Sequence, residues 1–441
     1  MPHLAASKTT YARRLGLFDV TMITVGAVIG AGIFLNPAIV AARVQSAQLT
    51  LAAWIAGGLI AVAGGFCFAE LGARAPNAGG GYVYLRDAFG RLPAFLYGWT
   101  LLLVINSGAV AAVAGIAARY TADLAGADRS FIAPLAVTFI VAFTVVNYFG
   151  IRPGAIVQNV FTLAKLAALA VVVAAGLLAA PAATATVPGP SPSWFESIRL
   201  VGLALIPVMF ATGGWQNANF VGAEVRDARR TLPRAILLGV TIVVVVYVAV
   251  NLAYLRALGV AGLAASAAPA ADTMRIAAGE TGARLISVGI IASTLGILNL
   301  FILAAPRVYQ AMADDGLFFA TASRLHPRYR TPSGALLFQA AWAVVLSLSG
   351  TYGDLLDYVV FGDWIFFGLV AMTLFVYRGR EADGPLDDGF RMPAFRLITG
   401  VFVIAAAAIV VSSILSNPAN AIVGATLILT GIPVFWLWQR R

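Results

Sequence analysis

Histidine and cysteine are almost missing from this chain. His3, His326 and Cys67 are the only ones among 441 residues. Both histidines fall in polar segments and Cys67 stands alone in an apolar run, so no ligand cluster and no nucleophile–base pair forms. An enzyme is therefore not expected, no cofactor or metal is called for, and one cysteine cannot close an intrachain disulfide. Charge is scarce too, at 11% of residues. The net charge of +10 comes from basic residues in short segments between apolar runs, a pattern that argues against nucleic acid. What is abundant is apolar surface: 61% of residues are hydrophobic and the mean hydropathy is +0.90. Soluble domains do not read like this; the expected class is an all-α polytopic membrane protein. The first ~15 residues are polar and basic with no apolar core to cleave, so no signal peptide is expected.

Twelve apolar runs can be counted, near 18–42, 48–72, 93–121, 131–150, 155–180, 198–224, 234–256, 283–305, 333–350, 355–377, 394–415 and 419–438. Alternate connections divide the basic residues 21 against seven. The richer side carries Arg13, Arg14, the Arg226–Arg234 cluster, Arg440 and Arg441. The positive-inside bias makes that side cytoplasmic, with both termini inside and the chain in the cell (inner) membrane. Two connections are more than linkers. Ala73–Arg91 joins a turn cluster to an amphipathic stretch, and Gly259–Thr281 is long enough for a short helix over the outer mouth.

The first run contains Gly26-Ala27-Val28-Ile29-Gly30-Ala31-Gly32. Each glycine costs ~1 kcal/mol against alanine in a helix interior. A break at Gly30–Gly32 explains them: it would expose backbone N–H and C=O groups to something polar in mid-membrane. Close helix packing is the alternative reading. The sixth run has the same peculiarity, Phe210-Ala211-Thr212-Gly213-Gly214-Trp215-Gln216-Asn217. It crosses in the opposite direction. Interrupted helices opening two five-helix units of opposite topology are the signature of an inverted-repeat secondary transporter. The chain thus divides into a first repeat (18–180), a second repeat (198–377) and two added helices (394–438) in one transmembrane domain.

These residues carry a resemblance. Gly30-Ala31-Gly32-Ile33-Phe34 resembles the Gly-Ser-Gly-Ile-Phe motif of the amino acid–polyamine–organocation superfamily. The stretch from Phe210 through Glu224 to Arg230-Thr231-Leu232-Pro233-Arg234-Ala235-Ile236 is similar to its L-amino-acid-transporter branch. Pro306-Arg307-Val308-Tyr309 through Gly316, and Thr331-Pro332, fit as well. The resemblance covers all twelve spans. It implies a five-plus-five inverted-repeat (LeuT-like) fold with helices 1 and 6 broken and two appended helices. It also implies amino-acid transport by alternating access.

An amino-acid zwitterion needs donors for its carboxylate and acceptors for its ammonium, placed beforehand so that desolvation is offset. Free amides of Gly30, Ala31 and Gly32 open a half-helix whose positive end suits a carboxylate. Carbonyls around Val28 and Ile29 can accept from the ammonium, and by resemblance those of Phe210 and Gly213 complete that site. Ala31 stands where the family often has serine, so one hydroxyl contact is missing. Ala211, Gln216 and Asn299 join the substrate-contact candidates, with interhelical bonding the alternative for Gln216 and Asn299. Lys165 lies about 11 residues into the fifth run, ~16 Å from its end, where an ionisable group is functional by default. The resemblance implies that it stands in for the cation that sodium-dependent relatives hold between helices 1 and 8, hence sodium independence. Phe210 would close over substrate by resemblance, with Trp215 and Asp363 in the same gating set. Asp363 could draw cations, titrate or pair with an arginine.

No acidic residue falls within either break, and the small residues there leave modest room, so small neutral amino acids are expected. An arginine or polyamine antiporter, or a non-transporting sensor on the same fold, is the alternative. A channel would want a pore loop or charged ring, and neither is present. Eukaryotic members of the branch often pair with a glycoprotein through a cysteine between spans three and four. Asp123–Arg129 has none, so no disulfide-linked subunit is expected and the chain is expected to work alone.

Overall fold

The computed structural model describes residues 10–182, 193–349, 352–380, 389–416 and 418–439, the side chains of 352–361 excepted. His3, Lys8, Arg440 and Arg441 lie outside the described residues. Within them the chain is helical. The only extended pairing is an isolated parallel bridge between Leu15 and Val225. Among the described residues nine helices are long and apolar enough to cross a bilayer, or ten when one bent pair counts as a single span. Ser333–Ser349 is apolar but only 17 residues long, and Tyr352–Gly379 adds a helix of 28. Large apolar side chains such as Leu59, Val160, Val245, Leu285 and Ile404 point outward, as a chain solvated by lipid requires.

The bent pair is the first run. Leu17–Val28 and Gly32–Val44 meet at 42° across Ile29–Ala31. The sixth run is also interrupted: Trp194–Thr212 ends at Gly213, and a short helix resumes at Asn217–Phe220. These two interruptions touch. A Cβ on Gly214, whose φ is +121°, would stand 2.5 Å from the Ala27 carbonyl oxygen, and one on Gly32 would stand 2.8 Å from the Ala211 Cβ. Only glycine allows that approach and that backbone.

Long helices hold the interrupted ones in place. Ala228–Ala265 packs against Ala47–Arg74, Leu17–Val28 and Ile151–Leu178, while Pro269–Ala304 packs against Ile151–Leu178 and Asn106–Ala125. The expected short helix between them is the continuation of both neighbours, kinked at Gly259 and at Ala278–Gly279. The amphipathic stretch is the helix Gly81–Phe89. Arg86 and the Tyr82 hydroxyl both reach the Asp315 carboxylate, at 2.9 and 2.8 Å. A π-turn at Leu101–Ile105 interrupts the third span just before Asn106. The Asn106 amide donates to the Phe301 carbonyl, so that asparagine joins helices.

Candidate functional site

Where the interruptions meet there is a cavity of about 230 Å³. At ~30 Å³ per water that is room for roughly eight waters or one modest solute. Gly30, Ala31, Gly32 and Val28 line it from the first interruption, and Phe210, Ala211, Gly213, Gly214 and Gln216 from the second. Ile297, Phe301, Trp364, Phe367 and Asp363 close the remaining sides.

Backbone groups of both interruptions contribute polarity to the cavity. Among the described residues the N–H groups of Gly30, Ala31 and Gly32 donate to no backbone carbonyl, and the carbonyls of Phe210 and Gly213 accept from no backbone N–H. Donors from one interruption and acceptors from the other therefore border one space. That is the pairing an α-amino acid presents in reverse.

The first interruption's carbonyls are arranged differently from the sequence expectation. Lys165 is fully buried, and its ammonium donates to the carbonyls of Gly26 (3.1 Å) and Ile29 (2.7 Å). It lies behind the interruption and does not line the cavity. Val28 is not free either. The Tyr247 hydroxyl sits 3.0 Å from both the Val28 and Ala211 carbonyl oxygens. One hydroxyl carries one proton, so it serves the two interruptions alternately and ties them together. Sequence reasoning missed Tyr247, which stands in a valine-rich run with no neighbouring polar signal. Tyr247→Phe is expected to slow transport about 5- to 12-fold, the equivalent of the ~1–1.5 kcal/mol of one net hydrogen bond. The melting temperature should fall by only a few degrees, because the edge-on Trp54 contact remains and one shared proton is lost. Initial-rate uptake beside a melting curve checks both.

Asn299 and Trp215 are placed away from the cavity. Ile297 and Phe301, four apart, face it, and Asn299 between them points to the opposite side of the helix. There it accepts from Asn147 (2.9 Å) and donates to Gln158 (3.1 Å). The chain continues through Thr162 to the Met22 carbonyl, ending beside Lys165 as a polar brace behind the first interruption. Trp215 is fully buried among Phe68, Phe367 and Phe402, a core contact. Phe210 is 43% exposed on the cavity wall. Ile29 is buried and offers only its carbonyl, to Lys165.

Beneath the second interruption, Glu224 pairs with Arg307 at 2.8 Å, both almost fully buried. The Glu224 carbonyl accepts the N–H groups of Arg14 and Leu15. Arg226, Arg229, Arg230 and Arg234 are exposed, the flank expected of a positive side. Among the described residues no group of histidine, cysteine or carboxylate side chains could hold a metal ion.

A family model described as amino acid permease matches residues 15–438. The chain is 30% identical to the b(0,+)-type amino acid transporter 1 of Mus musculus, across 99% of this chain and 90% of that protein. It is 29% identical to the serine/threonine exchanger SteT of Bacillus subtilis, across 97% of each. It is 31% identical to the large neutral amino acids transporter small subunit 2 of Homo sapiens, across 97% of this chain and 81% of that protein. The last name corrects one expectation, that the chain works alone with no disulfide-linked glycoprotein subunit. A relative this similar is by name one subunit of a larger transporter. The missing cysteine at Asp123–Arg129 concerns one covalent bond, whereas association rests on buried surface that needs no cysteine. The match over nearly the whole length settles the family: the chain belongs to the amino acid permeases of the amino acid–polyamine–organocation superfamily.

Proposed function

We propose that this protein is a sodium-independent exchanger of neutral amino acids that works by alternating access. The observation that carries the reading is the cavity where two chain interruptions meet, bordered by unpaired N–H groups on one side and unpaired carbonyls on the other. In this reading Gly30, Ala31 and Gly32 hold the substrate carboxylate, with the positive end of Gly32–Val44 behind them. Phe210 and Gly213 take the ammonium through their carbonyls, and the Phe210 ring covers the outer side. Lys165 occupies the space between the first and eighth spans with its own ammonium, so no sodium ion is needed there.

The architecture that goes with this reading has twelve spans. Two inverted repeats (18–180 and 198–377) are followed by two added helices (394–438), with both termini cytoplasmic by the basic-residue bias. Relatives named for serine/threonine exchange and for large neutral amino acids support a neutral substrate over an arginine or polyamine antiporter.

Uptake of labelled alanine or serine into sodium-free proteoliposomes tests the function. Vesicles preloaded with unlabelled amino acid should take up label at least tenfold faster than empty ones. Equal uptake into empty vesicles under an inward proton gradient would make it a symporter. Uptake that appears only with sodium would sink the role given to Lys165.

A further inference from the structure

We propose that Asp363 reads the substrate's side chain, so that the cavity selects amino acids ending in an O–H or N–H donor over alkyl side chains of the same shape. The inference rests on the reading of this cavity as the substrate site, and it extends the neutral range toward basic side chains.

Among the described residues the buried carboxylates have partners, whereas Asp363 is part-buried on the cavity wall. Asp19 accepts from Arg152 and Asn159, Glu70 from Arg74 and Arg378, and Glu224 from Arg307. Asp363 lines the cavity, and among the described residues it has neither a hydrogen bond nor an ion pair. Among the described residues no arginine makes the pairing entertained from the sequence. The other polar side chains on the cavity wall are mostly engaged. Asn36 donates to Pro207, Asn217 to Gly214, and Thr294 to Ile290. Gln216 has an unpartnered amide oxygen, but an amide can turn either end toward a ligand. A carboxylate cannot: ionised, it only accepts.

An unpaired carboxylate beside apolar walls such as Ile297, Phe301 and Phe367 is costly, and a structural role would supply its donor from the protein. Here the donor comes from the cavity, from water when it is empty and from the substrate when it is filled. The backbone groups of the two interruptions already account for the α-carboxylate and α-ammonium, which leaves the side chain to bring it. A site that hydrogen-bonds a substrate hydroxyl or amine discriminates strongly against the isostere that lacks it, because its polar group is then left unpaired.

Two isosteric pairs separate the sources of the donor. Threonine and valine differ by a hydroxyl for a methyl, and ornithine and norleucine by an ammonium for a methyl. Each competes against labelled alanine exchange, and the readout is the ratio of half-inhibiting concentrations within a pair, which a general loss of turnover leaves untouched. In the unsubstituted protein threonine should compete at concentrations about tenfold or more below valine, and ornithine below norleucine. Asp363→Leu should bring both ratios to within about twofold. Asp363→Asn, which keeps an acceptor without charge, should keep the threonine preference and lose that for ornithine. If a variant no longer transports, ligand-induced shifts of its melting temperature in detergent give the same ratios. Ratios near one in the unsubstituted protein, or preferences that survive Asp363→Leu, overturn the proposal. Gly214→Val tests the underlying reading separately: its side chain would strike Ala27 where the interruptions touch. Normal alanine exchange in that variant would remove the cavity as the substrate site, whatever Asp363 does.

Discussion

Lys165→Met is expected to lower exchange about 10- to 100-fold and the melting temperature by a few degrees. The ammonium donates to the carbonyls of Gly26 and Ile29 at 3.1 and 2.7 Å, and methionine keeps the length of the side chain while removing both donors. Each buried carbonyl left unpaired costs about 1–3 kcal/mol, because lipid offers no partner to replace the lost bond. Part of that cost falls on folding. The larger part falls on function, because Gly26 and Ile29 fix the direction in which Leu17–Val28 ends, and with it the N–H groups that begin at Gly30. A rotation of that end by a few degrees misaims donors that must meet a carboxylate at hydrogen-bond distance. Initial rates in preloaded vesicles, with and without sodium, measure the loss. An exchange rate within twofold of the unsubstituted protein would mean that the polar brace through Asn299, Gln158 and Thr162 positions the interruption unaided.

The parts of this molecule that could be read from sequence are those written as departures from a lipid-facing helix. Apolar runs pointed to the nine or ten membrane-length helices found among the described residues, because a bilayer demands long apolar segments. Gly30–Gly32 and Gly213–Gly214 stood out because glycine is costly in a helix, and Lys165 because a charge at that depth is costlier still. What escaped depended on rotation about a helix axis. Whether Asn299 faces the cavity or its neighbours turns on packing that only the fold supplies. Two positions, Ile297 against Asn299, reverse the answer. Tyr247 escaped for a related reason. Its ring is unremarkable in an apolar run, and its importance lies in two carbonyls 219 and 36 residues away. Glu224 and Arg307 stood in separate motifs, and nothing in the sequence showed that they pair.

That pair carries the second large effect. Removing the Arg307 guanidinium leaves a buried carboxylate without its cation, a loss of about 3–5 kcal/mol where such pairs are broken from one side. Arg307→Met should therefore lower the melting temperature in detergent by at least ~5 °C and reduce the yield of folded protein. The guanidinium also donates to the Leu303 carbonyl, so its loss loosens the end of Pro269–Ala304 as well. Glu224→Gln should be milder, since a neutral amide can still accept from Arg307. The double variant Glu224→Gln, Arg307→Met should recover part of the stability of Arg307→Met alone, because no buried charge remains. The functional consequence follows from what Glu224 joins. Its side chain holds the helix end at Arg307 while its carbonyl holds the chain entering at Arg14 and Leu15. Weakening the pair frees the segment 10–15 from the end of the second interruption, which should appear as faster trypsin cleavage after Arg13 and Arg14 in Arg307→Met. Unchanged cleavage together with the lower melting temperature would confine the pair to stability. Faster cleavage restored by the double variant would tie it to closure beneath the cavity.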